Sequence, residues 1–349
     1  MASTIKSADL AACLKSFSLV DQPNIKLLAR LGTLRQMEIF LRVAELRSLA
    51  KAAEKLHLTQ PTVSIQVKKL SDAIGLPLYE VVGKKLKLTE AGQKVEEAGR
   101  EIFEVVRHLD GEINDLKGLQ SGNLSISVVT ASKYFMPYIL APFCEQYPGV
   151  EVEMKIGNRG EIIDRLSKNL DDLYIFSELP DDLDISSSHF LPNPIVVVAS
   201  KDHPLAGQTG TLRWQDIADE RFILREAGSG SLLGISRFLK EHGHSIKDVM
   251  TIESNEAIKH AVMANMGISI MSAYILSNAD QDGLVQLNVE GFPLMSHWDI
   301  VHLEDKKLSS VAQRFLDFII SGGQELLPMR EINQKVQSAI DGDWGNHNS

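Results

Sequence analysis

Residues 48–70, SLAKAAEKLHLTQPTVSIQVKKL, constrain this chain more than any other stretch. Ala52, Ala53 and Leu56 recur at the spacing of a short amphipathic helix, and after a break at residues 57–59 a second helix is expected to open on Gln60-Pro61. A proline near the first helical position has no amide hydrogen to lose there, and Thr59 or Gln60 can cap the remaining donors. The second helix is expected to bury Val63, Val67 and Leu70 along one stripe, leaving Gln60, Thr62, Ser64, Ile65, Gln66, Lys68 and Lys69 outward. Amides and hydroxyls can read base edges in a major groove, while lysines hold phosphates. From spacing alone, a DNA-reading helix-turn-helix and a plain helical hairpin with a solvated polar face are equally open.

The flanks decide between them. Residues 33–92, TLRQMEIFLRVAELRSLAKAAEKLHLTQPTVSIQVKKLSDAIGLPLYEVVGKKLKLTEAG, resemble the winged helix-turn-helix of LysR-type transcriptional regulators almost end to end. The resemblance runs to roughly residue 320. It implies a multidomain chain: an all-α winged helix-turn-helix with a long linker helix, then an α/β, periplasmic-binding-protein-like, two-lobed sensor. The candidate DNA contacts are Lys51, Thr59, Gln60, Pro61, Thr62, Ser64, Gln66 and Lys68, with Lys84 at the wing tip reaching a phosphate or the minor groove. Two departures from the family pattern stand out: Ile65 and Val81 occupy positions where the family usually has arginine. Each such loss removes a contact worth roughly 1 to 3 kcal/mol if it met a base edge.

The net charge of −10 is at odds with DNA binding until it is divided along the chain. Residues 31–90 hold 10 Lys/Arg against 6 Asp/Glu and residues 1–30 hold 4 against 2, whereas residues 91–349 hold 22 against 38. A basic reader attached to an acidic sensing body is the expected pattern. With 349 residues and 44% hydrophobic content, two or three cores can form. No apolar run reaches the ~20 residues that cross a bilayer. Lys15 interrupts the mildly apolar residues 10–20, so no signal peptide is expected. Cys13 and Cys144 give neither a disulfide framework nor metal spacing, which fits a cytoplasmic protein.

In chain order, residues 1–30 read as an extension and 31–90 as the DNA-binding domain. Within the latter, Leu76-Pro77-Leu78-Tyr79 and Leu86-Lys87-Leu88 are expected to be the wing strands. Residues 91–120 form the linker, with Thr89 as its cap. In that linker Val95, Ile102, Leu109 and Leu116 follow a seven-residue repeat, widened by Ala91, Ala98, Val105, Val106 and Ile113. Such a seam calls for a partner, either its copy in a second chain or its own sensing domain. The resemblance implies the former, and a homodimer that pairs further into a homotetramer is expected. Its operators should be near-palindromic.

After a hinge at Gln120-Ser121-Gly122, strands alternate with helices: strands at 124–130, 150–156, 173–176, 195–200, 268–271 and 298–303, helices at 133–147, 161–169, 232–242, 256–265 and 309–320. One lobe takes residues 123–193 and 299–323, the other 194–298, with crossings near Asn193 and Trp298; residues 324–349 form a tail in which 331–339 reads as a short helix. Ligands in α/β lobes sit at strand carboxyl ends, where helix N-termini offer amides. Three turns fit: Thr130-Ala131-Ser132-Lys133, the turn holding Asn158 and Arg159, and Glu226-Ala227-Gly228-Ser229-Gly230-Ser231. Singly each reads as a capped turn; together, with Asn255, they favour a small polar or anionic metabolite as effector.

The segments TASKYFMP, NRGEIIDRLSKN, LREAGSGS and GFPLMSHW are similar to those of RuBisCO-operon regulators within the family. That implies control of carbon-fixation or related central-carbon genes and a phosphorylated Calvin-cycle metabolite or reduced pyridine nucleotide as effector. Leu232, the missing arginine near Met295-Ser296, and Glu178 depart from that pattern and predict a cation-poor cleft, leaving another pathway as the alternative. An enzyme is not expected. No Walker loop occurs, Gly228-Ser229-Gly230 lacks the rest of a dinucleotide fingerprint, and the histidines are scattered. No cofactor or metal is expected. The remaining alternative, a solute-binding protein with a helical accessory domain, is opposed by the basic amino-terminal module.

Overall fold

The computed structural model describes residues 32–83, 85–116, 121–276 and 283–322. Residues 1–30, Lys84, Gln120 of the hinge and the tail from 324, with its helix at 331–339, lie outside the described residues. The chain divides into two compact units after Val105.

In the first unit, Thr33 and Gln36 form a capping box that starts helix α1, Leu34–Leu46. Arg47 turns the chain at φ 48°, and Ser48 caps α2, Leu49–Lys55. Thr59 caps α3, Gln60–Ile74, by accepting from the Thr62 amide at 3.3 Å, and Gly75 ends it at φ 86°. As expected, Val63, Val67 and Leu70 are buried, against Phe40, Val43 and Ala52. Strands β1, Tyr79–Val82, and β2, Lys85–Leu88, pair antiparallel with Tyr79 opposite Leu88. The wing therefore starts three residues later than the expected Leu76. Thr89 explains why: its amide donates to the Leu78 carbonyl at 3.1 Å and its hydroxyl to the Pro77 carbonyl at 2.6 Å, so these groups serve the next helix rather than a strand.

Helix α4, Glu90–Leu116, is 27 residues long, about 40 Å at 1.5 Å per residue. Its first turns pack on the DNA-binding core through Val95 and through Gly92 and Gly99; a Cβ on Gly92 would lie 1.9 Å from the Leu78 carbonyl oxygen. Val95, expected in a dimer seam, thus belongs to its own domain's core, and Ile102 is half-buried. Val105, Leu109 and Leu116 are 69%, 54% and 89% exposed, and Ile113 is exposed too. The expected seam is divided: its start is used inside the unit and only its end is uncovered.

In the second unit the end of α4 is fastened by Arg107 to Asp172 at 3.7 Å and by Glu112 to Lys307 at 3.3 Å. A seven-stranded sheet runs β10-β6-β11-β5-β3-β4, with β9 also on β6. Its strands are β3 (Ser121–Val129), β4 (Gly149–Gly157), β5 (Leu173–Phe176), β6 (Ile185–Ser200), β9 (Ser269–Ser272), β10 (Leu284–Leu287) and β11 (Leu294–Leu303). Strands β3, β4 and β5 are parallel, whereas β6 and β11 are antiparallel to each other, with Asn193 opposite Ser296. The strand expected at 195–200 is the last six residues of the 16-residue β6; the ten before it, rich in serine and proline, carry no apolar alternation. Buried Asp171 and Asp172 fix the base of β3 by accepting from the Ser127 hydroxyl at 2.7 Å and the Ser125 amide at 2.8 Å.

The helices are α5 (Met136–Gln146), α6 (Arg159–Ser167), α7 (Trp214–Ile217), α8 (Gly230–Glu241), α9 (Asn255–Met263) and α10 (Ser310–Gly322). The helix expected at 133–147 is a 3-10 turn, Thr130–Tyr134, followed by α5. Pro137 has no amide to donate back to residue 133, so the α-helix starts where that proline falls in the first turn. A small parallel pair, β7 (Arg221–Leu224) and β8 (Asp248–Thr251), completes the second lobe. Alternate residues of β6 serve two cores: Ile195, Val197 and Ala199 face Trp214 and Phe238, while Val196 and Val198 join the larger cluster with Ile258 and Tyr274.

Candidate nucleic-acid interface and effector cleft

Helix α3 presents Gln60, Pro61, Ile65, Lys68 and Lys69 exposed, with Thr62 and Ser64 half-buried; Lys51 is exposed on α2. Thr59 and Thr62 share a hydroxyl hydrogen bond of 2.8 Å, so both have a partner inside the unit. Gln66 accepts from the Gln36 amide at 3.3 Å and is turned toward α1. Ser64 and Lys68 line a groove with Ser71, Asp72 and Tyr79 at the foot of the wing. The wing turn places Gly83 at φ 55°, which favours glycine.

In the sensor, a narrow cleft is lined by Thr130, Ala131, Arg159, Ser177, Asn193, Arg225, Ser229, Gly230 and Ser231, with Trp298 among its walls. Three expected turns therefore meet, through Thr130 and Ala131, through Arg159, and through Ser229-Gly230-Ser231. The others stand back from the lining. Ser132 is buried and donates to the Val129 carbonyl at 2.8 Å, Lys133 pairs with Glu256 at 3.0 Å, and Asn158 caps α6 by accepting from the Glu161 amide at 2.9 Å. Gly228 makes the turn before α8 at φ 86°. Gly230 allows α8 to approach the other lobe, because a Cβ there would meet the Ser177 hydroxyl at 2.6 Å.

Ser177, Asn193 and Arg225 were missed in the sequence, and of these Arg225 is a charge only 8% exposed. It donates to both carboxylate oxygens of Glu226 at 2.7 Å and from Nη1 to Asn255 at 3.0 Å and Thr130 at 3.4 Å. Its signal was a charge placed directly after the apolar strand β7, at a strand's carboxyl end. Glu226 thus holds Arg225 rather than lining the cleft. Burial raises the Glu226 carboxyl, and hydrogen bonds from Arg225 and its own backbone more than offset this, leaving it below its ordinary value. Arg159 donates to the carbonyls of Glu178 and Leu179 at 3.2 and 2.8 Å. With two arginines lining it, the cleft is not the cation-poor one expected. Glu178 is paired with Arg237 at 2.8 Å, and Leu232 is half-buried beyond the lining.

Several polar atoms around this cleft have no partner inside the protein. Ser229, the N-cap of α8, makes no capping bond, and its buried hydroxyl has no hydrogen bond. The same holds for Asn255 Nδ2 and Tyr134 Oη. Buried donors of this kind cost about 1 to 3 kcal/mol each unless a ligand or water satisfies them. The amides at the start of α8 add the positive end of a helix dipole. Together they suit an anion.

Residues 34–93 match the bacterial regulatory helix-turn-helix family of LysR proteins, and residues 117–324 match the LysR substrate binding domain. The chain belongs to the LysR family. Its LysR relatives include the HTH-type transcriptional activator CmpR of Synechocystis, 47% identical over 83% of this chain and 95% of that protein. A RuBisCO operon transcriptional regulator of Acidithiobacillus ferrooxidans is 39% identical over 85% of this chain and 96% of its own length. The regulatory domain of Synechocystis CcmR, solved in complex with 2-PG, is 40% identical and aligns with a TM-score of 0.54 over 58% of this chain and 97% of that one. As a LysR protein the chain is an effector-responsive, DNA-binding transcription regulator and not an enzyme. Among the described residues no His/Cys/Asp/Glu group is placed to hold a metal, and no helix is long and apolar enough to cross a membrane.

Proposed function

We propose that this regulator controls carbon-fixation or related central-carbon genes in response to a small phosphorylated or carboxylated anion bound between the sensor lobes. The observation that carries the effector class is Arg225, buried beside the uncapped start of α8 and the unpartnered Ser229 hydroxyl and Asn255 amide. CmpR and the RuBisCO-operon regulators support the gene class, and the 2-PG bound by CcmR supports the anion. Arg159, Arg225, Thr130, Ser229 and Ser231 are the proposed ligands, while Lys133 and Asn255 act from behind them.

On the DNA side, Gln60, Thr62 and Ser64 read bases and Lys51, Lys68 and Lys84 hold phosphates. The exposed end of α4 pairs with a second copy, forming a homodimer able to build a tetramer, and the protein works in the cytoplasm. Closure of the lobes over the anion acts on contacts that already span the cleft: Lys133 to Glu256, Arg237 to Glu178 and Arg225 to Thr130. The change then alters how paired α4 helices present their heads to DNA.

The test is calorimetric titration of the full chain with 2-PG, glycolate and inorganic phosphate, paired with gel shifts on promoters of carbon-fixation genes. Saturable binding of 2-PG together with a shift at those promoters is expected. No binding of any of the three would remove the anion reading, and binding only at promoters of other pathways would remove the operon reading.

A further inference from the structure

Ile65 is 53% exposed on α3 and belongs to no hydrophobic cluster of its unit. Neither packing nor helix preference explains it, since a β-branched residue at an exposed helical position is slightly unfavourable. Its neighbours three and four positions away are Pro61, Thr62, Lys68 and Lys69, so it stands in the middle of the face flanked by cations. Two polar candidates on the helix are meanwhile engaged within the unit, Thr62 with Thr59 and Gln66 with Gln36. Ile65 is thus a large apolar side chain on this face that no hydrophobic cluster covers.

A major groove offers one apolar group on its base edges, the 5-methyl of thymine. We propose that Ile65 is a specificity-determining residue that reads one thymine per half-site through that methyl. The inference rests on the DNA-binding role of α3 and is independent of the effector. Lys68 and Lys69 set the depth of the helix by holding phosphates, and Ile65 then covers the methyl and takes both surfaces out of water. Cytosine at that position, with no methyl and an amino donor, leaves Ile65 facing a polar edge.

The experiment starts from duplexes that the full chain selects out of a random-sequence library. Each thymine of the selected site is replaced in turn by deoxyuridine, which lacks only the methyl, and affinities are compared for the natural chain, Ile65→Val and Ile65→Ala. At one thymine per half-site the natural chain should lose about three- to fivefold, the size expected for one buried methyl. Ile65→Val should lose less, and Ile65→Ala should bind thymine and deoxyuridine duplexes alike. A natural chain indifferent to every deoxyuridine overturns the proposal, as does an Ile65→Ala chain that keeps the same loss. If Ile65→Ala instead changes the sedimentation of the DNA-free protein, the side chain belongs to an interface between copies and the proposal also fails. A library that yields no preferred sequence would overturn the DNA-reading role itself, a separate outcome from silent deoxyuridine.

Discussion

On α3, Lys68 and Lys69 are exposed and make no ion pair among the described residues, whereas in the sensor cleft both arginines are already engaged, Arg159 by two carbonyls and Arg225 by Glu226, Asn255 and Thr130. On the proposed reading the two regions take different anions. A DNA backbone arrives with many charges spread over a long surface, so mobile exposed cations suffice and no precise cavity is required. A metabolite brings a few charges into a confined space, where a guanidinium must be fixed in advance and the remaining selectivity comes from neutral donors such as Ser229 and Asn255. Affinity on α3 is therefore expected to follow charge count, and affinity in the cleft to follow geometry.

The comparison can be broken most severely at Gly92. Alanine there would drive a methyl into the Leu78 carbonyl, 1.9 Å away, and should cost the DNA-binding unit roughly 3 kcal/mol through overpacking. The expected result is lost gel shifts with preserved anion binding by calorimetry; loss of both would show that the two regions do not act separately. Next in size, Arg225→Met should weaken 2-PG binding about 100-fold and Arg225→Lys about tenfold, within the range for a charged hydrogen-bonding group. Effector-free DNA affinity should be unchanged in both. Equal affinity in Arg225→Lys and the natural chain would mean that charge alone matters in the cleft as well.

Salt sharpens the contrast further. Operator affinity should fall steeply between low and high salt, and Lys68→Ala should lower the slope of the log–log plot by about 1, while 2-PG affinity changes far less over the same range. The smallest effect is expected from acid. Because Glu226 lies below its ordinary value of 4.5 in the folded chain, its pairing stabilises the fold fully above that pH and is lost as pH falls through the lowered value. In chemical denaturation, the natural chain should lose slightly more stability than Glu226→Gln between pH 5 and pH 3, on the order of the shift linkage allows for one partly exposed carboxylate. An identical decline in both would show that Glu226 does not report on Arg225.

Much of this contrast could be read from the chain itself, for reasons that vary by residue. The stripe Val63, Val67 and Leu70 and the caps Thr59 and Thr89 act locally, through spacing and one short hydrogen bond, and they lie where expected. Gly92 and Val95 were harder: nothing in a seven-residue repeat distinguishes a face used within the domain from one left for a partner. In the cleft, Thr130, Arg159 and Ser229 come together because each follows a strand or opens a helix, which is a local rule. Asn193, Ser177 and Arg225 escaped because their role depends on pairings between segments far apart in sequence, such as Asn193 accepting from Ser272 at 2.6 Å. The cleft holds more cations than expected because departures from a family pattern say nothing of the charges kept within it, and Arg225 lies inside LREAGSGS, a segment that follows the pattern up to Leu232.

Strand β6 has a further property that follows from Pro192 and Pro194, which lie opposite His297 and Met295. Neither can contribute an amide to the ladder, and they flank Asn193, where one of the two crossings between lobes is expected. Just beyond, along Ile195–Ser200, β9 and β10 pair with the strand. With proline on both sides of it, Asn193 has fewer neighbouring amides to hold it in the sheet than any residue of Ile195–Ser200.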